Sequence, residues 1–444
     1  MDVRVKSCFR EPLLEVMNFL NEVVGRYPRA ISFAPGRPAE LHFDVERSLS
    51  LVPRFVEHRA AATGWSPRVV WNDLGQYNRT NGIINDLIAR QLERDEGIRV
   101  RPESIVVTHG CQEGMLVLLM GLFDPAEDVL LVSDPTYIGI TGLAAILGIE
   151  MVPVATGEQG LEPADVAAAI DAVRARGKRP RALYDIPDFN NPLGTRMPMA
   201  ARRALLALLA EREVLLFEDN PYGMFCYDGD PLPTIKALDE HGIVIYMGSF
   251  AKTLYPGLRA GYLVVDQVVV GEGGERTPLA AELSKVKSLT TVTTSPVTQA
   301  VVGALLLAEE VSLRGMVRDK LPFYRANRDR MLACLEERLG RAPGVRWNRP
   351  EGGFFLTVRL PFAFDDECLQ TAARDYGVIV CPMSFFALSA GRENQVRLSF
   401  SYVTEAQIEE GIGRFARFVR DRLAAAPEQP AEAGARDSVL VKTS

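Results

Sequence analysis

Lys252 comes shortly after an apolar run, Ile243-Val244-Ile245-Tyr246-Met247, that reads as a buried strand. A lysine in that position gives up its proton cheaply, because desolvation lowers an amine's pKa. Such an amine can form a Schiff base with an aldehyde, unless it is simply a surface lysine after a strand. Ser249 precedes it and Arg259 follows it, a hydroxyl donor and a fixed cation of the kind that hold a phosphate ester. Asp219, after Glu218, closes a second apolar run, Val214-Leu215-Leu216-Phe217. Buried there it needs a cation for a partner, or else it caps a helix. Gly110 stands at a strand-to-helix turn, where a helix's first N–H groups form a ready anion site. Late in the chain Arg397, between Val396 and Leu398, offers a planar fork for a carboxylate.

These residues need strands to present them. Strands are expected at 105–108, 129–132, 182–187, 214–219, 243–247 and 262–265, with helices over 114–123 and 199–212 between them. That alternation predicts a mostly parallel sheet covered by helices on both faces. Upstream, Leu13, Leu14, Met17, Leu20 and Val24 predict a helix over 11–25. The segment Ile31-Ser32-Phe33-Ala34-Pro35-Gly36-Arg37-Pro38 reads as a strand fragment breaking into a loop. Gly36 lets the backbone close on a ligand there, or merely turns it. Residues 40–70 carry no readable pattern. Downstream, helices over 279–286, 296–310, 322–339, 366–375 and 404–422 and strands at 351–356, 378–382 and 396–401 form an α+β unit. A Pro- and Glu-rich stretch from Pro427 predicts a disordered tail.

A chain of 444 residues exceeds one modest core, so two domains are expected. The net charge of -7 argues against a nucleic-acid surface. The cysteines are scattered without Cys-x-x-Cys pairs or neighbouring histidines, so neither a metal site nor a disulfide framework is expected, and a reducing cytoplasm fits. The first residues lack the apolar core of a signal peptide, and no apolar run approaches the ~20 residues of a membrane span, so no membrane partner is expected. Gly271-Glu272-Gly273-Gly274-Glu275-Arg276 lacks the last glycine of a dinucleotide fingerprint and follows no βαβ pattern, which makes a nicotinamide or flavin reading weak.

The stretch Ser249-Phe250-Ala251-Lys252-Thr253-Leu254-Tyr255-Pro256-Gly257-Leu258-Arg259-Ala260-Gly261-Tyr262 resembles the lysine segment of the class I/II aminotransferases, the fold-type I enzymes that use pyridoxal 5′-phosphate. Ala251 stands where their pattern has a second serine. Gln76-Tyr77, Gly110-Cys111-Gln112, Asp134-Pro135-Thr136-Tyr137, Asn191-Pro192-Leu193-Gly194, Asp219-Asn220-Pro221-Tyr222 and Arg397-Leu398-Ser399-Phe400 are similar to further family segments, in the family's order. The resemblance covers nearly all of residues 30–422 and is closest to the 2-aminoadipate and aromatic aminotransferase branch. It implies an α/β large domain over 71–315, with a mostly parallel, seven-stranded-type sheet. It also implies a smaller α+β domain built from part of 1–70 and from 316–423, with a disordered tail over 424–444.

The resemblance also assigns roles. Lys252 carries the cofactor and then serves as general base and acid, while Asp219 pairs with the pyridine nitrogen. Asn191 and Tyr222 bond the phenolic oxygen, and Tyr137 stacks on the ring. Gly110, Cys111, Gln112, Ser249 and Arg259 surround the phosphate. Tyr77 reaches the phosphate of the neighbouring subunit in a homodimer. Arg397 binds the substrate's α-carboxylate, with Gly36 and Asn191 beside the substrate. Met383 stands where the family commonly has glycine near the substrate side chain, and Leu193 replaces a threonine. The implied activity is ping-pong transfer of an amino group between an α-amino acid and a 2-oxo acid. Two other readings stay open: different chemistry by the same cofactor (oxygen-dependent oxidation or hydroxylation, decarboxylation, elimination), and an amino-acid-sensing regulator. The latter is disfavoured because only a short stretch precedes the match, too little for a helix-turn-helix domain.

Overall fold

The computed structural model describes residues 3–10, 14, 16, 22–271 and 273–425. The helix expected over 11–25 lies mostly outside them, with 22–26 helical. The expected tail lies outside them from 426 onward, and residues 424 and 425 belong to the helix Glu405–Ala425.

A short strand, β1 (Ile31–Ser32), comes first, and the large sheet follows. Its strands are β2 (Ile105–Thr108), β3 (Asp128–Asp134), β4 (Glu150–Gly157), β5 (Gly160–Leu161), β6 (Arg179–Asp185), β7 (Leu215–Asp219), β8 (Val244–Ser249) and β9 (Gly261–Val264). They lie in the order β2-β9-β8-β7-β6-β3-β4-β5. Strands β8, β7, β6, β3 and β4 pair in parallel, and β9 runs antiparallel to both its neighbours. The two-residue β5 is added at one edge, antiparallel to β4, beyond the expected seven strands.

Alternation along the strands sends side chains into opposite layers. Leu130 and Val132 belong to the core that holds Met115, Leu118, Leu279 and Leu283, while Val129 and Leu131 belong to a second core with Val166, Ile170, Leu205 and Leu209. Every residue of β2 and β3 is buried, as in a sheet covered on both sides.

An exposed hairpin of β10 (Val268–Val270) and β11 (Arg276–Pro278) and the helices Leu279–Thr290 and Pro296–Ala308 come next, and the smaller unit follows them. There β12 (Arg346–Trp347), β13 (Phe355–Arg359), β15 (Cys381–Pro382) and β16 (Gln395–Ser399) form an antiparallel sheet, and β14 (Val378–Ile379) pairs with β1. The helices Leu321–Leu339 and Glu405–Ala425 pack against each other beside it. Phe33 is held on both sides, its N–H donating to Ile379 and its carbonyl accepting from Ser399.

Three helices occupy the stretch without a readable pattern: Val45–Ser50, Val52–Thr63 and Pro67–Leu74. Asp44 and Ser66 cap the first and third, and Gly64 ends the second in the left-handed region. Through Phe55, Val56 and Val70 they share a core with the helix Pro296–Ala308, Tyr262 and Val264. We therefore propose 45–315 as the large unit, with 31–40 and 316–425 as the small one.

The expected strand 378–382 is two, β14 and β15, in different sheets, and two other boundaries differ for a visible reason. The helix after Gly110 begins at Cys111 rather than 114, because Gly110 turns the chain directly into it. β13 begins at Phe355 rather than 351, because Gly352 and Gly353 are wedged against Phe189 and Phe225. Among the described residues no helix is long and apolar enough to cross a membrane.

Candidate active site

The ends of β3, β6, β7 and β8 open on a cavity of about 300 Å³ between the two units. A crevice at the carboxyl ends of parallel strands is the usual ligand site of such sheets. Gly36, Gly110, Cys111, Gln112, Tyr137, Asn191, Asp219, Tyr222, Ser249, Lys252, Arg259 and Arg397 all line it. Tyr77 does not; it is 78% exposed at the surface.

Lys252 sits on a single turn, Phe250–Thr253, which is capped by the Ser249 hydroxyl accepting from Ala251 N–H at 3.2 Å. Its Nζ donates to the Gly36 carbonyl at 2.9 Å. Burial, then Arg259 and Arg397, draw this amine down to about 8, against the opposing pull of Asp219. Asp219, at the end of β7, accepts from the Tyr184 hydroxyl at 2.7 Å through Oδ2. Its Oδ1 is buried without a partner. Burial raises the carboxyl to about 6, with Tyr184 and then Lys252 pulling the other way.

At one end of the cavity, Gly110 has φ +75° and begins the helix Cys111–Leu122. A Cβ on it would lie 2.7 Å from Arg259 Nη2, so only glycine lets that guanidinium close over the helix start. The Cys111 thiol donates to the Gly248 carbonyl at 3.1 Å, and burial raises it well above a free thiol. Cys111 therefore offers the cavity its main chain rather than a nucleophile. Tyr137 donates to Gln112 Oε1 at 3.2 Å, and Gln112 Nε2 donates to Gly139 at 3.1 Å. Burial pushes the Tyr137 phenol up to about 12.

At the other end Arg397 is buried. Its Nη1 donates to Asn191 Oδ1 at 2.7 Å and its Nη2 to the Ala34 carbonyl, while Nε has no partner. The rings of Phe355 and Phe386 lie 4.4 and 4.6 Å from the guanidinium carbon. Among the described residues no carboxylate pairs with it, and burial lowers its pKa. Tyr222 is buried edge-on to Phe354 and Phe355, and burial raises its phenol.

Several placements correct or extend the sequence reading. Met383 is buried outside the cavity wall; its 3₁₀ helix, Met383–Phe386, presents Phe386 instead. Gly36 does line the cavity, but its closest constraint is Phe355, whose Cζ would lie 2.2 Å from an added Cβ. Tyr184, Phe355 and Phe386 escaped sequence reading. A hydroxyl inside an apolar strand is the only signal for Tyr184, and the two phenylalanines carry none. Glu96 escaped it too: its Oε2 accepts from Tyr246 at 2.5 Å and Asn220 at 3.2 Å, tying the residue after β7 to the middle of β8.

A profile of the family "Aminotransferase class I and II" matches residues 75–415. The chain is a class I/II aminotransferase. Its cofactor is pyridoxal 5′-phosphate, and it moves an amino group between an α-amino acid and a 2-oxo acid in a ping-pong cycle. The aminotransferase is 44% identical over 413 residues to the (S)-3,5-dihydroxyphenylglycine transaminase of Amycolatopsis orientalis, covering 93% of each chain. It is 30% identical over 395 residues to the aromatic-amino-acid aminotransferase 1 of Thermococcus litoralis, covering 88% of each. Among solved structures it superposes on the kynurenine aminotransferase of Pyrococcus horikoshii with a TM-score of 0.79 at 28% identity, covering 95% of this chain and 97% of the other. With transaminases matching across most of its length, the aminotransferase reading prevails over the rival chemistries and the regulator.

Proposed function

We propose that this aminotransferase takes an α-amino acid with an aromatic side chain, and that its cavity residues divide the work as follows. The cavity fits the cofactor on its own geometry. The unpartnered Asp219 Oδ1 suits a protonated ring nitrogen, and the Gly110 helix start under Arg259 suits a phosphate dianion. Gly110, Cys111, Gln112, Ser249 and Arg259 would hold that phosphate, Tyr137 the ring face, and Asn191 and Tyr222 its phenolic oxygen. When bound, the cofactor supplies an aldehyde for amine capture and a ring that acidifies the captured amino acid's Cα–H. Lys252, with its amine near 8, would take the proton from that Cα as general base and then, as general acid, give it up on the far side of the amino nitrogen. Asp219 keeps the ring nitrogen's proton in place, and Tyr184 keeps Asp219 oriented.

The observation that carries the reading is Arg397. A buried guanidinium with a free Nε and, among the described residues, no carboxylate partner, clamped between two rings, awaits a carboxylate from outside the chain. Phe386 against it is apolar, and Met115, Ile138 and Ile186 add apolar surface elsewhere on the cavity wall. The cavity's cations, Lys252, Arg259 and Arg397, all have roles, which leaves none for a second carboxylate. The aromatic substrates in the names of two relatives support the same choice. A homodimer with shared sites is proposed from the exposure of Tyr77, and a cytoplasmic location from six free cysteines.

The test pairs a panel of amino acids, each with a 2-oxo acid acceptor, with the variant Arg397→Lys. Aromatic amino acids should be turned over at least tenfold better than aspartate or glutamate as donors; the reverse order would overturn the substrate class. Arg397→Lys should keep the cofactor's absorbance while kcat/KM falls by about two orders of magnitude, since lysine has no planar fork. Lower thermal stability with near-normal kinetics would instead make Arg397 a structural tie.

A further inference from the structure

Behind the Gly110 turn, outside the cavity, lies a buried ion pair that the roles above do not use. Glu113, in the first turn of the helix Cys111–Leu122, accepts the His109 main-chain N–H at 2.5 Å through Oε2. Lys287, from the helix Leu279–Thr290, donates to both carboxylate oxygens at 2.9 Å. It also donates to the Thr291 hydroxyl at 2.9 Å, and that hydroxyl bonds Glu113 Oε1. The two side chains are 0% and 6% exposed.

A carboxylate in a helix's first turn satisfies an otherwise unpaired N–H and fixes how the chain enters the helix. Here the fixed segment is His109-Gly110-Cys111, the turn that Arg259 closes over. A bare carboxylate behind an anion site would also repel the anion, and a buried charge left unpaired is costly. Lys287 removes both problems.

We propose that Glu113 and Lys287 are a positioning pair for the cofactor's phosphate: Glu113 sets the turn, and Lys287 cancels the charge that Glu113 would otherwise direct at the phosphate. This rests on the reading that the Gly110 turn and Arg259 hold the phosphate.

The test uses the full-length chain, equilibrated with pyridoxal 5′-phosphate, as Lys287→Met, Glu113→Gln, the double variant, and Arg259→Gln as a control on the anchor. The readouts are the dissociation constant of the cofactor and the melting temperature. Lys287→Met leaves the carboxylate uncompensated and should weaken cofactor binding about tenfold. Glu113→Gln keeps an acceptor for His109 and leaves Lys287 cationic, so binding should be as tight as wild type or tighter, although the protein melts lower. The double variant should recover most of the tenfold loss. Should Lys287→Met fail to fold, Glu113→Gln still decides, because a merely structural tie predicts weaker binding there in step with the melting temperature. Affinity changes of the same sign in both single variants overturn the pair and leave the anchor standing. Wild-type affinity in Arg259→Gln overturns the anchor and the pair with it.

Discussion

Burial and the guanidinium groups of Arg259 and Arg397 draw the Lys252 amine to about 8, so the neutral, reactive form is populated close to neutral pH. Its capture of pyridoxal 5′-phosphate by the cofactor-free protein should therefore speed up as pH rises through about 8 and then level off. Removing a neighbouring cation, as in Arg397→Met, should move that inflection upward. An inflection that stays put, or one already near an ordinary lysine's value in the wild type, would count against the assignment. The linkage to stability has the same origin. Because folding lowers this pKa, the amine costs stability below about 8, and the cost is relieved as pH rises from there toward the unfolded value. Gly110 is the second residue whose type is forced by its place. In Gly110→Ala the left-handed φ and the Arg259 guanidinium 2.7 Å from the new methyl act together. Cofactor affinity should fall by about an order of magnitude, read as a higher dissociation constant; an unchanged constant would show that Arg259 moves aside freely.

At the level of elements, what could be read in the sequence is what repeats locally. Apolar runs ending in Asp219 or leading to Lys252 announce β7 and β8, and the turn at Gly110 announces a helix start. What stayed hidden depends on partners distant in sequence. The helices over 45–74 bury only scattered side chains such as Phe55 and Val70, so they show no stripe until the helix Pro296–Ala308 is placed against them. Phe386, not Met383, faces the cavity because a 3₁₀ turn sets which residue points inward. The Arg397 clamp is likewise non-local: it needs β13 for Phe355, β16 for the guanidinium and the N-terminal segment for Ala34 and Gly36. Gly36→Ala tests that joint. Its methyl would fall 2.2 Å from Phe355 Cζ, so the ring must leave its place against Arg397. A shift of about 1 Å there should lower kcat/KM about tenfold or more, with cofactor affinity little changed. Equal losses in both would mean that the two ends of the cavity move as one piece.

For the molecule as a whole, the exposed residues around Tyr77 suggest how a complete site is assembled. Tyr77 is 78% exposed, Leu289 89%, and Trp71 and Val292 47% each. The Thr293 hydroxyl donates to the Arg79 carbonyl at 3.3 Å, so the loop carrying Tyr77 and the loop after Leu289 meet. Large apolar side chains left outside on these loops and on the helix ends that flank them fit a surface covered by a second copy. If Tyr77 serves the partner's site, one subunit supplies Lys252 and the other supplies Tyr77. Lys252→Ala should be inactive, and Tyr77→Ala should bind the cofactor weakly. Mixing the two in equal amounts and allowing subunits to exchange should restore activity, because one site of each mixed dimer combines an intact Lys252 with an intact Tyr77. Random exchange makes half the dimers mixed, so recovery should approach about a quarter of the wild-type sites. If Tyr77 instead acted within its own subunit, every site in the mixture would carry one of the two changes. Activity would then stay at the level contributed by the Tyr77→Ala subunits alone, and the shared site would have to be abandoned even if light scattering reported a dimer.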